Sequence, residues 1–171
     1  WKKKIGIYIS DNSEKNDTKN INFKQFSNLD IDYHKNKTNI GSDKNIANCY
    51  SKPTSDYIMV LGDDDFVDEN FFNSVIRVLN SKKFDLIYFN CYGFTYNSNE
   101  ARNYRSFKNM IFDSPIDFLL KINIHLAFIS TIIFKRSLAS KSKIHEAVGT
   151  NLIQFNFALN NITKGNNFIF L

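Results

Sequence analysis

The stretch Tyr57-Ile-Met-Val-Leu-Gly-Asp-Asp-Asp-Phe66 decides how the rest of the chain is interpreted. Its first five residues are mostly apolar and partly β-branched, which predicts a buried strand of a parallel sheet that ends at Gly62. Three acids, Asp63, Asp64 and Asp65, follow at once. In an open α/β sheet, ligands bind beyond the carboxyl ends of the strands, so these acids are expected at a binding site.

Two interpretations of this acid cluster follow from the residues alone. Adjacent carboxylates repel one another and resist burial, so they need a compensating cation or full hydration. An oxygen-rich cluster suits Mg²⁺ or Mn²⁺ shared with the phosphates of a substrate. The alternative is a solvated acidic turn that caps the next helix, with Asp68 and Glu69 at its start. The position directly after a buried strand favours the ion site.

Length and charge narrow the class of protein. The 171 residues are enough for one domain with a hydrophobic core, but too few for two domains that each have a full core. The net charge of +5 comes from scattered lysines, and no basic run exceeds residues 2–4. This pattern does not predict binding to nucleic acid, but it suits a phosphate-bearing substrate or an anionic membrane surface.

Cysteine usage and hydropathy predict the compartment. Cys49 and Cys91 lie far apart in no metal-spaced motif, which predicts free, packed thiols in a reducing compartment. No signal peptide is evident, and the longest apolar run, residues 126–134, is half of what a bilayer requires. A soluble, cytoplasmic domain is therefore expected.

Strands and helices are predicted to alternate along the chain. Strands are expected over residues 5–9, 31–34, 57–61, 84–90, 128–134 and 168–171, and helices over residues 42–50, 68–81, 113–120 and 148–160. Ser42 or Asp43 is the predicted N-cap of the first helix, and Asp113 that of the third. Residues 14–28 are predicted as a loop with at most a weak helix, and the polar stretch ending near Asn103 as a ribbon or loop. The alternation predicts an α/β domain with a mostly parallel sheet flanked by helices.

Three segments, in this order and spacing, resemble family 2 glycosyltransferases. Residues 7–18 resemble that family's strand followed by Asp-x-Ser-x-x-Asp-x-Thr, residues 39–45 its Asn-x-Gly…Arg-Asn helix entry, and residues 57–65 its strand before the Asp-x-Asp metal motif. The Leu-Gly-Asp-Asp-Asp form, with residues 129–136, is similar to the abequosyltransferase-like branch of bacterial surface-polysaccharide synthesis. The resemblance runs from about residue 5 to 165, and it implies one catalytic domain over residues 1–171 with the nucleotide-diphospho-sugar transferase (GT-A) fold.

The resemblance implies a role for each matching residue. Asp11 matches the acid that hydrogen-bonds the nucleotide base, and Asp63 the one that contacts the ribose. Asp64 and Asp65 match the ligands of a Mn²⁺ or Mg²⁺ ion that bridges the diphosphate. Lys44 replaces the family's arginine and would reach the diphosphate as a point charge, the alternative being a solvated helix lysine. Asn39 and Gly41 are expected to shape the turn.

Two features depart from the family pattern. The family's first strand and helix have no counterpart, so the chain is expected to be truncated, with two strand edges left unpaired unless upstream residues, neighbouring strands or another chain fill the gap. In addition, Ile153 and Gln154 stand where inverting members carry the Glu-Asp base, and an amide is a poor proton acceptor. Glu146, and after it His145, is the nearest candidate base. An exposed loop pair is the alternative.

The resulting hypothesis is a metal-dependent glycosyltransferase that moves a sugar from a nucleotide-sugar donor to a growing bacterial surface glycan, free or lipid-linked. Such an enzyme would work in the cytoplasm, with peripheral association at the inner face of the membrane. Two alternatives stay open. One is a degenerate GT-A-like fragment that retains only nucleotide binding. The other is a sugar-nucleotide nucleotidyltransferase, which would need a Gly-rich basic loop near its start that this sequence lacks.

Overall fold

The computed structural model describes residues 5–15, 21, 23–81, 83–93, 102–103, 108–139 and 144–171. In these residues the strands are β1 Gly6–Asp11, β2 Asp30–Lys35, β3 Tyr57–Met59, β4 Leu86–Tyr88, β5 Tyr92–Gly93, β6 Arg102–Asn103, β7 Met110–Phe112, β8 Ile132–Lys135 and β9 Phe168–Phe170. The α-helices are α1 Ser42–Ser51, α2 Glu69–Asn80, α3 Pro115–Ile122, α4 Arg136–Ala139 and α5 Ile153–Ile162. Short 3₁₀ turns span Phe23–Phe26, Asn123–Ala127, Ile129–Thr131 and Ile144–Ala147.

The main sheet is mixed, so the predicted mostly parallel sheet is wrong in its pairing. Within the described part of the chain, five strands follow the order β3-β8-β4-β9-β7. Strand β8 runs antiparallel to both β3 and β4, and β7 runs antiparallel to β9, while β4 and β9 are parallel. Hydrophobic runs predict that a strand exists and is buried, but they carry no information about its direction.

A separate pair of strands completes the α/β architecture. Strand β1 pairs with β2 in parallel, with Asp11 opposite Lys35 at the carboxyl ends. Among the described strands, β1 is hydrogen-bonded to β2, and the edge strand β3 is hydrogen-bonded to β8. Strand pairing therefore does not join these two sheets in the described part of the chain. Helix α1 packs against β1 and also against α5, so it connects the two-stranded sheet to the main body.

The core lies on both faces of the main sheet because side chains alternate along each strand. On one face, Leu86 and Tyr88 of β4 join a cluster that α1, α3 and α5 cover. Its aromatic contacts include the stacked pairs Tyr50–Phe157 and Phe118–Phe168, with ring centroids 4.1 and 4.9 Å apart. On the other face, Ile87 packs in a smaller cluster with residues of α2. The predicted helices flanking a buried sheet are confirmed.

Two predicted helix caps are wrong and one helix start is confirmed. The N-cap of α1 is Gly41, without a side-chain cap bond, rather than Ser42 or Asp43. The N-cap of α3 is Ser114 rather than Asp113, and its hydroxyl accepts from Asp117 N at 3.2 Å. Helix α2 begins as expected after Asp68, whose carboxylate accepts two backbone N–H bonds of 2.8 Å.

Several predicted element bounds are too wide. Strand β3 ends at Met59 rather than Leu61, whose side chain is 47% exposed. Strand β8 begins at Ile132 because the preceding residues form 3₁₀ turns. Helix α5 begins at Ile153 rather than Val148, because Gly149 and Asn151 have left-handed backbone. The ribbon predicted before Asn103 is present where β5 pairs with β6, and the rest of that segment lies outside the described residues.

As predicted, neither Cys49 nor Cys91 forms a disulfide, and both are half-buried. In the described ranges, every helix is too short or too polar to cross a bilayer.

Candidate active site

Asp11 stands at the carboxyl end of β1 as predicted, and it is the centre of a charged network. Its carboxylate is 7% exposed. Oδ1 accepts from Ser13 N at 2.9 Å, from Ser13 Oγ at 2.7 Å and from Lys35 Nζ at 3.0 Å. Oδ2 accepts from the Tyr33 hydroxyl at 2.6 Å. Donors from the turn after β1 and from β2 thus fix the carboxylate at this strand end.

An asparagine network joins this strand end to the start of α1. Asn45 accepts from Ser10 Oγ at 2.7 Å and from Asn36 Nδ2 at 2.9 Å. Asn39 Oδ1 accepts from Gly41 N at 2.9 Å, and Gly41 has φ +83°, a region that favours glycine. The prediction that Asn39 and Gly41 shape this turn is therefore confirmed.

A polar groove of about 630 Å³ opens beside the network. Its walls come from the segments that follow β1 and β2, namely Ser13, Glu14, Lys35, Asn36, Lys37, Thr38 and Asn39. The predicted diphosphate ligand Lys44 is exposed in the first turn of α1, close in sequence to this groove. The carboxyl ends of β1 and β2 thus present cationic and amide side chains to one open surface.

The acid cluster forms a tight turn after β3. Asp65 N donates to Gly62 O at 3.3 Å, which closes the turn and leaves Asp63, Asp64 and Asp65 exposed. Gly62 N donates to Ser130 Oγ at 2.8 Å, so a residue of the 3₁₀ turn before β8 holds the start of the acid turn. Gly62 and Ser130 continue the antiparallel register in which Met59 faces Ile133.

The turn has the shape of a small oxygen cradle, which fits the predicted divalent ion. A Cβ built on Gly62 would lie 3.0 Å from Asp64 Oδ1 and 3.1 Å from Asp65 Oδ2, so both carboxylates reach over the same point. Within the described ranges, no three His, Cys, Asp or Glu side chains converge as a preformed cage. Two carboxylates suit Mg²⁺ or Mn²⁺, because such ions complete their shell with water and substrate phosphates.

The candidate base lies in the 3₁₀ turn Ile144–Ala147, ahead of α5. Glu146 is exposed there, whereas the side chain of His145 lies outside what the structure describes. The loop that follows is held by Asp43 of α1, whose Oδ2 accepts from Gly149 N at 2.7 Å and from Asn151 N at 3.0 Å. Helix α1 therefore contacts the segment that carries the candidate base.

Gln154 occupies the first turn of α5, at the helix start where the resemblance expects an acid pair. Its Nε2 donates to Ala127 O at 3.2 Å. This amide therefore connects α5 to the 3₁₀ turn Asn123–Ala127, and it is a structural contact rather than a proton acceptor.

Burial raises the pKa of the Cys49 thiol, and the hydroxyl of Ser10 offsets part of that shift. Burial likewise raises the pKa of the Tyr8 hydroxyl on β1. A thiol with a raised pKa is a weak nucleophile at neutral pH. The chemistry of the site therefore falls to its carboxylates and cations.

Sequence reasoning identified the candidate residues but missed the side chains that support them. Hydrogen bonds join Asp11 to the end of β2, α1 to the loop after Glu146, and the acid turn to Ser130. The supports Lys35, Asp43 and Ser130 lie 24, 106 and 68 residues from their partners, and no local pattern marks such pairs. Alternation of β2 was the one available signal for Lys35, since it places Tyr33 and Lys35 on one face.

Solved structures of known proteins share this fold. Over the whole chain, the fold is similar to that of TarS from S. aureus, residues 1–349, with a TM-score of 0.74 and 14% identity. The same protein in complex with UDP and with UDP-GlcNAc gives TM-scores of 0.71 and 0.68, each at 14% identity. The chain spans 50%, 49% and 48% of those three chains, about half of their length. No curated protein sequence matches it.

The α/β GT-A fold expected from the sequence is therefore confirmed, with a mixed sheet. The sequence profile described as "Glycosyl transferase family 2" matches residues 1–142, which is most of the chain. The chain belongs to glycosyl transferase family 2.

Proposed function

We propose that this protein is a metal-dependent glycosyltransferase that uses a nucleotide-sugar donor. The observation that carries the proposal is the Gly62 turn, where the oxygens of Asp64 and Asp65 reach over one point beside a strand end. Membership of glycosyl transferase family 2 supports the reaction class. The TarS structures with UDP and UDP-GlcNAc make a uridine diphosphate donor the first to test.

Each candidate residue would contact a different part of the nucleotide-sugar donor. Asp11 would hydrogen-bond the base, as the matching acid does in the family, and Asp63 would contact the ribose. Lys44 would approach the diphosphate as an exposed point charge. Asp64 and Asp65 would hold Mn²⁺ or Mg²⁺ through their carboxylate oxygens. Such an ion, when bound, neutralises charge on the leaving nucleoside diphosphate.

The acceptor side requires a base that removes the proton of the attacking hydroxyl. Glu146 is the candidate, because it is an exposed carboxylate in a turn that helix α1 supports. His145 is the second candidate from the same turn. Removing such a base is expected to lower kcat about 10²–10⁴-fold.

The acceptor we propose is a growing bacterial surface glycan such as a lipopolysaccharide, a lipooligosaccharide or a capsule. The Leu61-Gly-Asp-Asp-Asp65 form supports the abequosyltransferase-like branch, whose members act in that synthesis. A peripheral position at the cytoplasmic face of the membrane would bring the domain to a lipid-linked acceptor, and the net charge of +5 suits an anionic surface.

A second candidate function is nucleotide binding without transfer. The contact that favours it is the bond from Gln154 Nε2 to Ala127 O, because it commits the side chain at the expected base position to a structural role. Both functions require binding of the nucleotide, but only the glycosyltransferase also requires turnover.

Isothermal titration of UDP and GDP, with and without Mn²⁺, tests the donor site, and hydrolysis or transfer from the matching nucleotide sugars tests turnover. We expect Asp65→Asn to abolish the Mn²⁺-dependent part of UDP or GDP binding. Asp56→Asn is the matched control, since Asp56 is an exposed acid at the opposite end of β3. If binding of UDP and GDP is unchanged by Mn²⁺ and by Asp65→Asn, the proposed metal site is contradicted. Binding without turnover would select the second function.

A further inference from the structure

The most unusual buried charge near the site is the carboxylate of Asp43. It lies in the first turn of α1 and is 6% exposed, although it makes no cap bond to its own helix. Its Oδ2 accepts instead from the backbone N–H groups of Gly149 and Asn151, more than a hundred residues further along the chain. A buried carboxylate is stable only where it is hydrogen-bonded, so these two bonds define its role.

Ala147 and Val148 pack against the core, and the carboxylate of Asp43 holds the backbone of the loop that follows them. Gly149 has φ +99° and Asn151 has φ +57°, so two left-handed residues stand close together ahead of α5. The N-cap of α5, Leu152, provides no side-chain cap bond. Thr150 bonds locally to Ala147 O through both its N–H and its hydroxyl, which shapes the loop but does not attach it to the body. Left-handed residues persist where the surroundings over-determine them.

The same turn of α1 also contacts the donor side. Asn45, two residues after Asp43, accepts from Ser10 Oγ at 2.7 Å and donates to Ser10 O at 3.2 Å, next to Asp11. Side chains two residues apart on a helix point to different sides, so Asp43 and Asn45 form hydrogen bonds with two separate segments. One helical turn therefore connects the β1 end with the loop that follows Glu146.

We propose that Asp43 is a positioning residue that sets the base-bearing turn, with Glu146 and His145, relative to the bound donor. This inference rests on the proposed transferase function. Asp43 touches neither reactant, and it acts by fixing the backbone at Gly149 and Asn151, three and five residues beyond Glu146. A misplacement of about 1 Å in such a group can cost about 10²-fold in rate.

The test uses Asp43→Ala and the milder Asp43→Asn, which keeps one acceptor oxygen. We expect Asp43→Ala to lower kcat for sugar transfer about 10- to 100-fold, while the Kd for UDP with Mn²⁺ stays within about twofold. Asp43→Asn should recover most of the loss. Asp117→Ala is the matched control, because Asp117 is an exposed acid in the first turn of α3.

A double-mutant cycle separates positioning from general stability. Combined with Glu146→Gln or His145→Asn, whichever removes the base, Asp43→Ala should cost little further rate, since it acts through that group. Additive losses, an equal weakening of UDP binding, or no effect of either base substitution would overturn the inference. If Asp43→Ala does not fold, the same cycle with Asp43→Ser decides, because the shorter hydroxyl side chain is not expected to reach both N–H groups. A wild-type protein that transfers no sugar would contradict the proposed function itself, whereas full transfer with additive losses contradicts the positioning role alone.

Discussion

The backbone N–H of Gly62 donates to the hydroxyl of Ser130 at 2.8 Å, and this bond joins the acid turn to the 3₁₀ turn before β8. The two residues are 68 apart in sequence. They meet because β8 lies antiparallel beside β3, and the pairing of Met59 with Ile133 extends to them. The orientation of the predicted ion ligands thus depends on a hydroxyl from another element.

Removing that hydroxyl should weaken ion-dependent nucleotide binding. Ser130→Ala deletes the acceptor of a bond whose net worth is about 0.5–1.5 kcal/mol, which corresponds to about a 2- to 10-fold rise in the Kd for UDP with Mn²⁺. Ser130→Thr keeps the hydroxyl and should stay near the wild type. Titration calorimetry measures both, with Ser74→Ala on the exposed face of α2 as control. An unchanged Kd in Ser130→Ala would show that the bond does not orient the ligands.

Adding one methyl group to the turn should displace its carboxylates. In Gly62→Ala, the new Cβ would lie 3.0 Å from Asp64 Oδ1 and 3.1 Å from Asp65 Oδ2, closer than ordinary contact. Both atoms end flexible side chains, so the carboxylates should move while the fold stays intact. We expect at least about a 10-fold loss of Mn²⁺-dependent UDP binding, which is about 1.4 kcal/mol, with little change in Tm. A large drop in Tm together with normal binding would contradict this reading of the cradle.

The pair formed by Asp11 and Lys35 should matter for stability. Their charged atoms lie 3.0 Å apart, with the Asp11 side chain 5% exposed and that of Lys35 28% exposed. Lys35→Met leaves a buried carboxylate with fewer partners. Because Lys35 is partly hydrated, the expected loss of unfolding free energy is about 1–3 kcal/mol, below the 3–5 kcal/mol of fully buried pairs.

Urea denaturation measures that loss, and Lys37→Met supplies the control, since Lys37 is an exposed lysine of the same groove. Equal unfolding free energies for the two variants would mean that the carboxylate is stable without the bond from Lys35.

The buried phenol of Tyr50 should make the fold sensitive to alkali. Burial raises the pKa of Tyr50 well above its ordinary value of 10.0. Above pH 10 the unfolded chain therefore loses this proton while the folded chain keeps it. Stability is fully present below that pH and falls above it, by up to about 1.4 kcal/mol per pH unit from this group.

Tyr50→Phe should remove that contribution, so its unfolding free energy should fall less steeply between pH 10 and 11 than that of the wild type. Urea midpoints at pH 8, 10 and 11 provide the comparison. Tyr92→Phe is the control, because Tyr92 is 56% exposed and its loss removes no buried phenol. Parallel pH curves for Tyr50→Phe and the wild type would contradict the burial argument.

Local patterns were sufficient to predict most strands, most helices and the position of the acids, but they missed β7. Alternation and apolar runs marked β2 and β4, and the helical spacing of Phe71, Val75 and Leu79 marked α2. The direction of β8 was not predictable in this way, because an apolar run is the same in either direction. The start of α5 was also missed. Gly149 and Asn151 lie in a loop that is bonded to the distant Asp43, and these bonds override the local helix propensity.

The reversed direction of β8 determines which loops can reach the acids. In a sheet whose strands all run one way, this edge would receive only segments that leave a strand, such as the turn after β3. Because β8 enters the sheet from the same edge, the segment that approaches it, from Leu126 to Ser130, also ends beside Asp64 and Asp65. The surroundings of the acid turn can therefore diversify through changes in an incoming loop, without altering the stretch that carries the acids themselves.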